Sequence, residues 1–395
     1  MSALTDRLST RLVGVDVARC LALLGMMATH VLEPIDASGE LTRIQSIAGG
    51  RSAALFAVLA GVSLALMTGR QEPVRGQVLV SRSLGLAARA VLIALLGLVL
   101  GSLGTNIAII LTYYGVLFLG AIPFLGLRAR WLWLLGAVWV VLGPVVSQVV
   151  RPMLPLRQFE SPEPSQLVEP ARLLAELLFT GYYPAVPWLA YVLIGMAIGR
   201  IDLRNRTVVS MLWSGGLVLS LSATWLSGRL TRLPSVAGEL LRTYPGVDID
   251  AALTAMSHGL YGQTPVDGGW QWLLVVAPHA TTPFDLAQTI GSSMFVIGAC
   301  QMIALWLPER WRVGMAVLFG AGTMTLTLYT LHVVMMTGAV WPPETPETYV
   351  VHVLVVLSIG ALVTAWGRPG PLEWLVGRPA AWLRRTEPDR RPASG

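Results

Sequence analysis

The sequence predicts an all-α fold: a polytopic membrane bundle of about ten transmembrane helices, with both termini on the cytoplasmic side. Three observations lead there. Of 395 residues, 54% are hydrophobic and 13% charged, and the mean hydropathy is +0.65, whereas water-soluble domains carry about a quarter charged residues. Apolar runs long enough to cross a bilayer, roughly 17–25 residues, recur along the whole chain. Arginine supplies all 28 basic residues, and eighteen of them fall on one alternate set of connections, eight on the other and two inside apolar runs.

The runs lie at 12–32, 51–68, 83–102, 105–126, 131–150, 180–199, 208–227, 285–307, 313–338 and 349–366. The positive-inside rule places Arg70, Arg75 and Arg82, the Arg200–Arg206 group and the arginine-rich tail in the cytoplasm. That orientation leaves the long connections 151–179 and 228–284 outside, and it makes the chain a multi-pass protein of the cell membrane. Leu173–Phe179 reads as a stretch lying on the membrane, and Trp270–Val276, too short to span, as a re-entrant or interfacial piece. Residues 1–368 form one transmembrane domain. Residues 369–395 form a cytoplasmic amphipathic segment (Leu372, Trp374, Leu375, Trp382, Leu383) and a disordered tail. No internal repeat is visible.

Composition excludes several chemistries. With no lysine, a lysine nucleophile or Schiff base is ruled out. Cys20 and Cys300 both fall in apolar runs, so no disulfide framework is expected. There is no Walker motif, hence no ATP-driven pump. The pI near 9.7 comes from arginines flanking the runs, which suits membrane lipids rather than nucleic acid.

Polar chemistry begins in the first run, which carries Asp16, Arg19 and His30. Ionisable groups in a spanning helix are costly and usually functional. Asp16 and Arg19, three apart, share a helix face and can neutralise one another. Eleven residues on, about 16 Å along the axis, His30 returns to nearly the same face. The plainer alternative is an anchoring Arg19 and a tolerated His30. At the outer depth the topology also gathers His332, Arg51, His279 and Asp285, while His352 and His258 read as interfacial. No two histidines are at i,i+3 or i,i+4 and no acidic partner has zinc-motif spacing, so no metal site is expected. Towards the cytoplasm, Arg19, Arg89 and Arg82 suit a polyphosphorylated ligand such as a nucleotide or coenzyme A, or plain ion pairing. Tyr183-Pro184 to Trp188 reads as a proline-fixed corner or an aromatic belt.

Val15-Asp16-Val17-Ala18-Arg19-Cys20 through Met27, the Gly50-Arg51-Ser52 start of the second run, the Tyr183–Trp188 corner and Gly195–Arg200 resemble bacterial membrane proteins with a heparan-α-glucosaminide N-acetyltransferase-like catalytic domain. The resemblance extends over about residues 11–366. The Arg19-to-His30 spacing and Leu328-Tyr329-Thr330-Leu331-His332 are also similar to the acyltransferase 3 family, although Cys20 stands where that pattern has glycine. Residues 31–50 hold no histidine, whereas the lysosomal acetyltransferase carries its catalytic one before the second span.

The resemblance implies an enzyme that moves an acetyl or other short acyl group from cytoplasmic acyl-CoA to a hydroxyl or amine of an extracytoplasmic carbohydrate or glycolipid. Acetyl-CoA would be the donor, with no metal. His30 would be the general base, with His332 and Arg51 orienting the acceptor or stabilising the oxyanion. Arg19, Arg89 and Arg82 would hold the donor, and His279, Asp285, Tyr183 and Trp188 the acceptor. Expected partners are acyl-CoA, an envelope glycan or glycolipid, membrane lipids and, as an option, a second copy in a homodimer. The alternative is a transporter or flippase for a cell-envelope precursor, since intramembrane ionisable residues and proline-broken spans serve there too.

Overall fold

The computed structural model describes residues 11–157, 161–262, 264–337 and 345–385; Arg7 and the tail beyond 385 lie outside them. The described chain is helical throughout, in the order α1 (Val13–Val31), α2 (Arg43–Ala48), α3 (Arg51–Met67), α4 (Gly76–Gly101), α5 (Leu111–Ala121), α6 (Ala129–Val150), α7 (Pro170–Ala175), α8 (Ala185–Gly199), α9 (Arg206–Leu230), α10 (Pro234–Leu241), α11 (Ile249–Ser257), α12 (Pro283–Trp306), α13 (Glu309–Leu318), α14 (Thr325–Met335), α15 (Pro346–Ala365) and α16 (Pro371–Arg385). Local chemistry starts several of them. Asn205 and Asp248 cap α9 and α11 with their side chains. Thr282 caps α12 by accepting the Asp285 N–H, with Pro283 at the first helical position, where its missing N–H is harmless.

Among the described residues, seven helical segments are long and apolar enough to span a membrane, and an eighth is formed if the pair 170–180 and 185–199, bent by 55°, is one span. The two remaining apolar runs hold shorter helices, 111–124 and 325–335. The run expected at 105–126 begins its helix only at Leu111, and Ser161 pins the irregular stretch before it: its hydroxyl accepts the Ile109 N–H and donates to the Ile107 carbonyl, each at 2.8 Å.

The run expected as one span over 313–338 is broken instead. A 3-10 turn, Gly320–Thr323, separates α13 from α14. Gly322 lies against the backbone of Asp16 on α1, and Gly320 against Gly360 on α15, so close that a Cβ at either would overlap a carbonyl oxygen. Glycine is a poor helix former and lets backbones touch, which accounts for both the break and its position.

Helix α8 is the hub. Nearly all of its residues are buried, and it packs against α3, α6 and α5. Gly61 of α3 and Gly195 of α8 face each other there, and the other extensive pairing, α9 with α12, is likewise made across Gly216, Gly291 and Gly298. Small residues allow the close approach on which helix association in lipid depends.

The long connections are structured. In Leu173–Phe179, α7 and a π turn, Glu176–Thr180, lead into the bent pair, with Leu173 and Leu177 buried and Leu174 exposed. Trp270–Val276 packs on neighbouring parts of its loop. It forms a 3-10 turn whose Trp272 is fully buried in a separate small core with Val236, Leu240, Ala252 and Met256, so α10, α11 and this turn make a folded cap. Helix α16, amphipathic as its sequence suggests, lies along α4.

Candidate active site

Helix α1 carries polar chemistry at both ends. Near its start, Asp16 accepts from Arg19 Nη1 at 2.6 Å and from Arg11 at 3.0 Å, and Arg19 Nη2 donates to the Ser63 hydroxyl at 2.9 Å. The two arginines neutralise one carboxylate, and the third contact orients Arg19 towards α3. Arg19 and Ser63 line a mainly apolar cavity of about 100 Å³ with Arg89, Phe56, Leu86 and Tyr114. An apolar lining with a few convergent polar groups is the usual character of a small-molecule site. Arg89 reaches only the Met67 sulfur, at 3.8 Å, and its Nε has no hydrogen-bond partner among the described residues; the Tyr114 hydroxyl has none either. Arg82 is elsewhere on α4, donating to the Met67 carbonyl at 3.1 Å, and does not line this cavity.

Helix α14 begins at the same cavity, to which Thr325 and Leu326 contribute. Its first N–H groups are satisfied from the tail helix: Glu373 of α16 accepts from Leu326 N at 2.7 Å, from Thr327 N at 3.2 Å and from the Thr327 hydroxyl at 2.6 Å. Two turns further along α14 is His332.

At the far end of α1 three histidines form a chain. His30 Nδ1 lies 3.0 Å from His332 Nε2, the two rings being stacked, and His332 Nδ1 lies 2.9 Å from His352 Nδ1 of α15. His332 and His352 are fully buried, at 0% and 1% exposure, so this is an interior network. The expectation that His352 is merely interfacial is therefore corrected: it faces the bundle and contacts His332. With both ring nitrogens of His332 taken and Nδ1 of His30 taken, His30 Nε2 is the nitrogen left to meet a ligand.

His30 lines a second cavity, of about 250 Å³, with Thr29, Asn106, Tyr182, Tyr183, Tyr261, His258 and His279. Its walls are aromatic and polar. Tyr182 and Tyr183 both pack on the His279 ring, at 4.9 and 5.6 Å, and Arg157 sits over Tyr182 while donating to the Tyr261 carbonyl at 2.8 Å. His279 and Thr281 have φ values of +57° and +59°, a left-handed conformation that side chains other than glycine seldom adopt and that recurs at functional sites. Burial, and then the neighbouring His30 imidazole, pushes the His279 side chain down to about 4, so it is neutral at physiological pH.

The structure thus brings together His30, His332, His279 and Tyr183, and at the other cavity Arg19 and Arg89. It separates the rest. Arg51 does not line the His30 cavity: it donates to the Ser46 carbonyl and lines a neighbouring cavity with Asp285 and Gln288, which shares Gln45, Gly49 and Pro278 with that of His30. Asp285 there accepts the Thr281 N–H at 2.8 Å, fixing the loop that carries His279. Trp188 is buried behind Tyr183, with ring centroids 5.0 Å apart, and lines neither cavity. Sequence reasoning missed His352, Tyr182, Tyr261 and His258 as parts of the site. The Tyr182-Tyr183 pair was the available signal for one of them; the others come from segments far apart in sequence.

Residues 11–229, more than half of the chain, match the family described as Heparan-alpha-glucosaminide N-acetyltransferase, catalytic. No curated protein matches the chain. The matched stretch contains Arg19, His30, Arg89, Tyr182 and Tyr183, while His279, His332 and His352 lie beyond it. With seven helical segments of spanning length among the described residues, the chain belongs to the heparan-alpha-glucosaminide N-acetyltransferase catalytic family and is a multi-pass membrane transferase of acetyltransferase type.

Proposed function

We propose that the protein moves an acetyl or other short acyl group from cytoplasmic acyl-CoA to a hydroxyl or amine of a carbohydrate or glycolipid on the other side of the membrane. The observation that carries this reading is the pair of cavities reached from the two ends of α1: one apolar with Arg19 and Arg89, one polar and aromatic with His30. Arginines bind phosphate as planar, permanently charged donors, and an apolar slot beyond them suits an acyl-pantetheine arm. Tyrosine faces with neutral polar groups suit a sugar, whose C–H surface stacks on rings while its hydroxyls find partners.

In this mechanism His30 Nε2 takes the proton of the acceptor O–H or N–H as that atom attacks the thioester carbonyl. The tetrahedral adduct then collapses, the C–S bond breaks, and the imidazolium gives its proton to the departing thiolate. A general base of this kind contributes roughly 10²–10⁴-fold. The unpartnered Tyr114 hydroxyl is assigned to hydrogen-bond the donor carbonyl, a stabilisation that grows with its negative charge. Both termini and α16 would face the cytoplasm.

Purified protein in liposomes containing envelope-lipid extract, given labelled acetyl-CoA, should transfer label to a lipid- or glycan-bound acceptor. Absence of transfer to any envelope acceptor, under conditions where the protein is folded, would overturn the reading.

A further inference from the structure

The histidine chain has a direction, and the tautomer of His352 bears on it. A neutral imidazole carries one proton on two nitrogens, so His332, engaged on both sides, must donate to one neighbour and accept from the other. Two arrangements satisfy the geometry. If His352 donates from Nδ1, His332 accepts there and donates from Nε2 to His30. His30 then carries its own proton on Nε2 and faces the acceptor cavity as a donor, with no lone pair for a proton. If His352 accepts at Nδ1, His332 donates to it and accepts at Nε2 from His30 Nδ1–H, and His30 presents a bare Nε2 to the cavity.

We propose that His352 is a positioning residue that accepts from His332 and so holds His30 in the tautomer able to act as a base. This rests on the acyl-transfer reading of the same site. The arrangement is built into the bundle, because the three rings come from α1, α14 and α15. Tyr349, one turn before His352, donates to the Leu24 carbonyl of α1 at 3.2 Å and ties α15 to the helix that carries His30. His332 is wholly buried, so water cannot take the place of either neighbour. His352 lines neither cavity, and it meets the site through His332.

The test separates a hydrogen-bond role from filling space. In His352→Asn the Oδ1 can stand near the position of Nδ1 and accept, whereas His352→Leu fills a similar volume and accepts nothing. The leucine variant should lose roughly 10- to 100-fold in kcat with acceptor KM unchanged, and the asparagine variant should keep most of the wild-type kcat. Both should still be stabilised thermally by CoA, which reports folding and donor binding. Should leucine prevent folding, His352→Met, of similar volume and more adaptable shape, takes its place. Equal activity of the leucine or methionine and asparagine variants, or a change confined to KM, overturns the proposal. If the wild type transfers nothing, the acyl-transfer reading falls and this inference with it. If the wild type is active and His30→Ala is not, while His352→Leu is fully active, only this inference falls.

Discussion

Asp16→Ala is a perturbation whose size can be worked out from geometry. The carboxylate receives Arg19 at 2.6 Å and Arg11 at 3.0 Å, with side-chain exposures of 14% for Asp16, 19% for Arg19 and 39% for Arg11. The Arg19 contact is close to the buried limit, where removing one partner costs about 3–5 kcal/mol because a charge is stranded. The Arg11 contact is close to the exposed limit, worth under about 1 kcal/mol. Arg19 keeps its bond to Ser63, which offsets about 1 kcal/mol. The expected net loss for Asp16→Ala is therefore about 2–4 kcal/mol. Arg19→Met alone strands the carboxylate less, since Arg11 remains. The double variant has no stranded charge and should be more stable than the two single losses predict, by about 2 kcal/mol. Denaturant titration in detergent micelles, completed as a double-mutant cycle, reads this coupling directly. Additivity within about 0.5 kcal/mol would refute a buried, mutually compensating pair.

Three further expectations follow from other parts of the structure. Arg200 is buried and donates five hydrogen bonds, to the carbonyls of Ala65, Thr68, Arg70 and Leu125 and to the Thr68 hydroxyl, so Arg200→Ala should lower stability by about 3–5 kcal/mol and Arg200→Lys should recover only part; melting curves would show it. Among the described residues Arg89 hydrogen-bonds only the Met67 sulfur, with Glu373 as its nearby countercharge, so Arg89→Met should change the melting temperature little while weakening CoA binding about 10- to 100-fold in a calorimetric titration, and unchanged CoA affinity would remove it from the donor site. His279 is held near 4 in the folded protein against about 6.5 when freed, so its contribution is whole above pH 6.5 and is lost as the pH falls towards 4, because the unfolded chain takes up the proton first. His279→Asn, which tolerates the same left-handed backbone, should therefore show a shallower loss of melting temperature between pH 7 and 4.5 than the wild type; identical slopes would contradict it.

The helical membrane character was legible because apolar runs and arginine placement are properties of local sequence. All ten runs hold helix, but length along the sequence does not show where a helix is interrupted. The break at Gly320–Gly322 depends on what those glycines touch, and the irregular stretch before the late start at Leu111 is pinned by Ser161, fifty residues away. The Asp16–Arg19 pair was readable because i,i+3 spacing fixes a shared face. His30 and His332 were singled out as ionisable groups deep in apolar runs, and they do meet. His352 obeys the same criterion, but its place near a predicted helix start made it look interfacial; only packing shows that α15 turns it inward. Arg51 and Trp188 show the converse error. Sequence position grouped them with His30, but Arg51 turns to the Ser46 carbonyl and lines the adjoining cavity with Asp285, and Trp188 packs behind Tyr183.

The central claim, that His30 is the base for acyl transfer, is tested most directly by His30→Gln. Glutamine keeps a hydrogen-bonding group of similar reach but cannot take a proton at neutral pH. Transfer from labelled acetyl-CoA in proteoliposomes should fall roughly 10²–10⁴-fold, to the level of His30→Ala, while thermal stabilisation by CoA is retained. A His30→Gln variant as active as the wild type would contradict the mechanism.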